Sequence, residues 1–87
     1  MTIERLNING KVQKNQDFLD LVLTLNNPQT HSIVVMYKED GKISRDKKTR
    51  YIRNNQGQWY RTMDKGVSCN TKVEVVKENK QYIIKNV

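Results

Sequence analysis

The 87 residues carry 16 Lys and Arg against 9 Asp and Glu, a net charge of +7, with one His and one Cys. A chain of this length forms one domain and buries roughly 60% of its unfolded surface, which excludes a large enzyme with a deep cleft backed by a second layer. The 36% apolar and 29% charged fractions are those of a folded chain with a very polar surface.

In chain order, Ile3, Leu6, Ile8 and Val12 surround Asn9-Gly10, a pair suited to the positive φ angles of a tight hairpin turn. Residues 2–13 therefore read as a strand or a small hairpin. From Gln16 to Asn27, Phe18, Leu21, Val22 and Leu25 recur at i, i+3, i+4 and i+7, which is one face of a helix. Asn15 is the expected N-cap, Asp17 sits near the positive end of the helix dipole, and Asn27-Pro28 marks the stop. Leu19, Leu21, Leu23 and Leu25 also alternate, so a strand is the competing reading. His31–Lys38 has apolar side chains on both faces, which predicts a central strand, and Asp40-Gly41 predicts the turn after it. Lys42–Lys48 is charged and weakly patterned, so it reads as a loop or strand edge.

Two hairpins complete the chain. A four-residue loop at Asn54–Gly57 pairs Arg53 with Gln58, Ile52 with Trp59, Tyr51 with Tyr60 and Arg50 with Arg61. In this register Trp59 and Ile52 share one face, with Trp59 as a core anchor, and Tyr51 and Tyr60 share the other beside Arg53. A turn at Lys77–Lys80 pairs Val75 with Tyr82 and Val73 with Ile84, which makes all four core residues facing Trp59 and Ile52. The composite is an α+β fold: a twisted, mostly antiparallel sheet of about five to six strands, curled toward a partial small barrel, with one helix near 16–27. An all-β fold is the alternative. The run GQWYRTMDKGVSCNTKVEVVKENKQYIIKNV resembles the second half of OB and SH3-like small barrels, and in pattern the carboxy-terminal OB module of the NfeD family. The resemblance implies a barrel-like path for residues 57–87 and carries over no functional residue; the amino-terminal half departs from the usual five-strand arrangement.

The charge is concentrated. Lys42, Arg45, Lys47, Lys48, Arg50, Arg53 and Arg61 face only Asp46 between residues 41 and 61, and elsewhere the signs nearly cancel. Such a patch fits a polyanion, because each neutralised phosphate releases counterions. The expected function is nucleic-acid binding through a basic hairpin. Lys47, Lys48, Arg50, Arg53 and Arg61 contact phosphates, and Tyr51 and Tyr60 stack bases. Arg50 opposite Arg61 would cost stability unless an anion, Asp46, Asp64 or Glu74 lay between them.

The rival is a phage or plasmid accessory or inhibitor protein that sets the same cations on an acidic surface of a host protein. Catalysis has little to build on: His31 and Cys69 stand alone, with no carboxylate pair and no metal-ligand spacing. A basic ribonuclease using Tyr, Arg, Lys and the one His is the enzymatic alternative. No small-molecule cofactor is implied. A lone cysteine, no signal-like apolar run in residues 1–15 and a longest apolar stretch interrupted by Asp20 and Thr24 predict a cytoplasmic protein outside the membrane.

Overall fold

Turn chemistry sets the first elements in the computed structural model, which describes all 87 residues. Asn9 (φ 52°) and Gly10 (φ 87°) both take positive φ, folding β1 (Thr2–Ile8) onto β2 (Lys11–Lys14). Helix α1 (Phe18–Leu25) follows; its N-cap is Asp17, not Asn15. Asp17 Oδ1 accepts the Asp20 N–H at 3.0 Å while Asp20 Oδ2 accepts the Asp17 N–H at 2.9 Å, a reciprocal capping box. The predicted helical face is confirmed at Leu21, Val22 and Leu25, which are buried, whereas Phe18 is exposed. After the Asp40-Gly41 turn of β3 (Ser32–Glu39) comes a two-residue β4 (Lys42–Ile43), then β5 (Thr49–Arg53), β6 (Trp59–Asp64), β7 (Val67–Glu78) and β8 (Gln81–Asn86).

All strand pairs are antiparallel, and the order is β2-β1-β3-β5-β6-β7-β8, with β4 on the end of β3. The sheet has eight strands rather than the expected five or six, because the amino-terminal segment makes a full hairpin and β4 folds back. It remains open. Helix α1 packs near β1 and β8, so it bridges the two flanks of a curled sheet on the concave side. There Leu6, Leu21, Leu25, Ile33, Val35, Tyr51, Trp59 and Val73 form the core. Burial of each large side chain contributes about 1.5–3 kcal/mol.

Both predicted hairpins exist, with different registers. In the first, Asn54 N–H donates to Gln58 C=O (2.9 Å) and Gly57 (φ 79°) takes the left-handed conformation, which closes a three-residue loop over 55–57. Arg53 therefore pairs with Trp59, Ile52 with Tyr60 and Tyr51 with Arg61, one residue off the expected pairing, and a bulge sets Arg50 against Met63. A slip of one exchanges faces. Ile52 is 39% exposed on the convex face, not packed with Trp59. In the second hairpin Asn79 (φ 49°) and Lys80 (φ 65°) make a two-residue turn, so Val75 pairs with Ile84 and Val73 with Asn86. That slip of two preserves the faces. Val73, Val75 and Ile84 join the core as expected, while Tyr82 remains 40% exposed.

Candidate nucleic-acid interface

The one-residue slip divides the basic hairpin between two surfaces. Tyr51 and Tyr60 do not stack across the strands: Tyr51 is buried in the concave core, and Tyr60 lies half-buried on the convex face opposite Ile52. The Arg61 guanidinium covers the Tyr51 ring at 5.5 Å and donates to Asn86 Oδ1 at 2.9 Å. Arg50 is not opposite Arg61; it projects from the convex face and donates through Nε to Thr62 Oγ1 at 2.9 Å.

Arg53 has a structural task. Its guanidinium stacks on Trp59 at 4.6 Å and donates to the carbonyls of Leu25 (2.6 Å), Asn27 (3.0 Å) and Thr30 (2.9 Å). Trp59 Nε1 donates to the same Leu25 carbonyl at 2.9 Å. These acceptors lie at the end of α1 and in the linker after it, where backbone carbonyls lack helical donors and the dipole favours a cation. On its other side the linker is held by Asn9, whose Oδ1 accepts the His31 and Ser32 N–H groups. Arg53 has no free fork for a phosphate. Lys47 is exposed and pairs with Glu39 at 3.4 Å. Lys48 is half-buried, and its carbonyl accepts the Gly66 N–H.

At the other end of the concave face the Tyr37 hydroxyl meets Thr49 Oγ1 at 2.7 Å, and Thr49 reaches Asp64 Oδ1 at 3.5 Å. Burial pushes the Tyr37 hydroxyl above its ordinary pKa despite the opposing Thr49 bond, so it stays protonated and offers no base. Burial alone would lower the Arg61 pKa, but Tyr51 and Asp64 outweigh it and raise the group above its usual value. His31 is exposed at the start of β3, and the Cys69 thiol points to the Arg61 carbonyl at 3.3 Å. No three His, Cys, Asp or Glu side chains gather as metal ligands, and no helix is long and apolar enough to cross a membrane. An open hollow of about 400 Å³ lies between the end of α1, the β5–β6 hairpin and β7, floored by Trp59, Val73 and Val75.

The convex face is what sequence reasoning missed. No element covers it, and cross-strand pairing places Arg5 beside Met36, Val34 beside Arg50, Ile52 beside Tyr60, and Tyr60 beside Lys72. Lys14 on β2 stands directly opposite Arg5. Like charges so opposed destabilise a sheet unless an anion screens them. Glu4 reaches Arg5 only at 4.0 Å, and Arg5 Nε is buried without a hydrogen-bond partner. Arg5 on β1, Arg50 on β5 and Lys72 on β7 recur every second strand on a diagonal, each step offset by two residues and about 12 Å long. The period of two in β1, β5 and β7 is the signal that could have found them, once the registers were known. Against protein-family models, curated proteins and solved structures the chain gives no match.

Proposed function

We propose that the protein binds single-stranded nucleic acid across the convex face of its sheet. Arg5, Lys14, Arg50 and Lys72 take phosphates, and Tyr60, flanked by Ile52, gives a stacking surface for a base. The observation that carries this reading is the uncovered face itself, where an aromatic ring and aliphatic side chains alternate with cations of which only Arg5 has a carboxylate, Glu4, within 4.0 Å. The cations at Lys42, Arg45, Lys47 and Lys48 strengthen the field that attracts the polyanion. Recognition is mostly electrostatic and weakly sequence-specific, since no helix presents side chains to a groove.

Fluorescence anisotropy with labelled single-stranded and duplex oligonucleotides, at low and near-physiological salt, tests it. Four phosphate contacts give a slope of log K against log salt near −3 for single strands, about −0.7 for each contact. Arg50→Glu and Lys72→Glu each flatten that slope and weaken binding. Tyr60→Ala weakens binding by about 1–3 kcal/mol with the slope unchanged. Lys47→Glu, an equal charge change away from the face, has the smallest effect of the charge reversals. Absence of binding at low salt refutes the reading and leaves an acidic protein surface as the partner class.

A further inference from the structure

The cations of the convex face lie along one line. Arg5 pairs with Met36, whereas Arg50 pairs with Val34, two residues along the same strand β3. The next step repeats that offset, because Ile52, two residues beyond Arg50 on β5, aligns through Tyr60 with Lys72 on β7. Both offsets run toward the β5–β6 turn, so the two steps of about 12 Å point the same way. Lys14 stands opposite Arg5 on β2, about 5 Å further out, which makes a row about 29 Å long. Uncharged side chains fill the gaps: Met36 and Val34 between Arg5 and Arg50, and Ile52 and Tyr60 between Arg50 and Lys72. The row is closed at both ends. Strand β2 is the edge of the sheet, and past Lys72 the next cation, Lys85, faces Glu74 and lies 3.9 Å from Glu78.

A stacked strand advances about 3.4 Å per nucleotide, and an unstacked, extended one nearly twice that. A step of about 12 Å is therefore two nucleotides of extended strand, and the whole row spans about six phosphates. On the premise that this face is the single-strand site, we infer that its substrate is an extended segment of about six nucleotides, held in a two-nucleotide repeat. Lys72, Arg50 and Arg5 hold every second phosphate, and Lys14 holds the one after that of Arg5. One of the two bases between the Lys72 and Arg50 phosphates stacks on Tyr60. One of the two between the Arg50 and Arg5 phosphates lies on Met36 and Val34, and the remaining bases turn to solvent. A line of four cations with a single carboxylate, Glu4, within 4.0 Å selects a polyanion, since an isolated anion would satisfy one cation and leave the others facing one another. A duplex cannot follow this path, because its bases are paired and stacked away from the sheet. RNA and DNA share the phosphates and base faces that the row reads, and the 2′-hydroxyl is what separates them.

Fluorescence anisotropy at low salt with labelled oligothymidylates and oligouridylates of about two to twelve nucleotides tests this path. Affinity climbs steeply up to about six nucleotides in both series, and a difference in its level between them reads the sugar. From six to nine nucleotides it gains no more than the about fourfold that four overlapping registers give. Lys72→Ala moves the break to about four nucleotides. Lys14→Ala, at an exposed position, moves it to about five and serves should the first variant not fold. In a hexamer, single abasic sites lower affinity several-fold at two positions two nucleotides apart, and Tyr60→Ala removes the effect at one of them. Affinity that keeps rising in proportion to length through twelve nucleotides, or a break that neither lysine variant moves, overturns the inference while the single-strand reading stands. Binding at no length overturns that reading as well.

Discussion

Replacing Arg53 with alanine separates a structural arginine from a ligand-binding one. The guanidinium makes three hydrogen bonds to carbonyls at the end of α1 and in the linker, and stacks on Trp59. Each bond from a half-exposed charged donor contributes about 1 kcal/mol and the stacked cation about 0.5 kcal/mol, so the loss is about 3–4 kcal/mol. In a domain with about 5–15 kcal/mol of total stability that is a large fraction. At about 4–8 °C per kcal/mol the melting temperature falls by about 12–32 °C. Arg53→Lys recovers only part, because an ammonium cannot span the Leu25, Asn27 and Thr30 carbonyls as a planar fork does. Calorimetry gives the stability change, and anisotropy on the folded fraction gives the salt slope for oligonucleotide binding, which stays at the wild-type value. A melting temperature within a few degrees of wild type, with a flattened salt slope, would refute the assignment and return Arg53 to the phosphate contacts expected from sequence.

Three further outcomes follow from individual contacts. The Tyr37 pKa is raised in the folded state by burial, so its contribution is complete below the ordinary tyrosine value near 10.0 and is lost as pH rises through the higher folded value. Urea titrations between neutral and strongly alkaline pH should show this decline, and Tyr37→Phe should remove that part of it. Asp17 is lowered chiefly by accepting the Asp20 N–H, so the cap is present above about 3.8 and is lost as pH falls through the lower folded value. Asp17→Asn should keep the cap and reduce the acid-side loss of helical ellipticity at 222 nm, whereas Asp17→Ala should lose the cap at every pH. At Gly66, φ is +87° and an added Cβ would run into the Asp46 carbonyl oxygen of the basic loop. Gly66→Ala should therefore destabilise by about 1–3 kcal/mol in chemical denaturation and loosen the Ser44–Lys48 segment, read as faster amide exchange.

Features settled within a few residues were legible from the chain. Asn9-Gly10 and Asp40-Gly41 announced their turns, and the run around Ile33 and Val35 announced a central strand. The spacing of Leu21, Val22 and Leu25 announced the buried face of α1. The capping residue was displaced by two, because Asp17 and Asp20 can bond reciprocally and Asn15 cannot join that box. The site was less legible. Tyr51 and Tyr60 are both strand residues beside arginines, and nothing local distinguishes the buried ring from the half-exposed one.

Registers and tertiary placement made that distinction. Gly57 in the left-handed conformation closes a three-residue loop, and the resulting shift of one residue puts Tyr51 under Arg61 and Tyr60 on the open face. The Asn79-Lys80 turn carries no glycine to mark it, and its shift of two moved partners without moving faces. Arg53 became a helix-end clamp because the fold brought the end of α1 to it from 28 residues away in sequence. Composition and periodicity determined that this chain makes a small basic sheet and left residues 16–27 open between an amphipathic helix and a strand, since both periods can be read from the same leucines. Which cations face solvent together was decided only by tertiary structure, because a side chain's face depends on the parity of a register set by loop geometry and by contacts with distant strands.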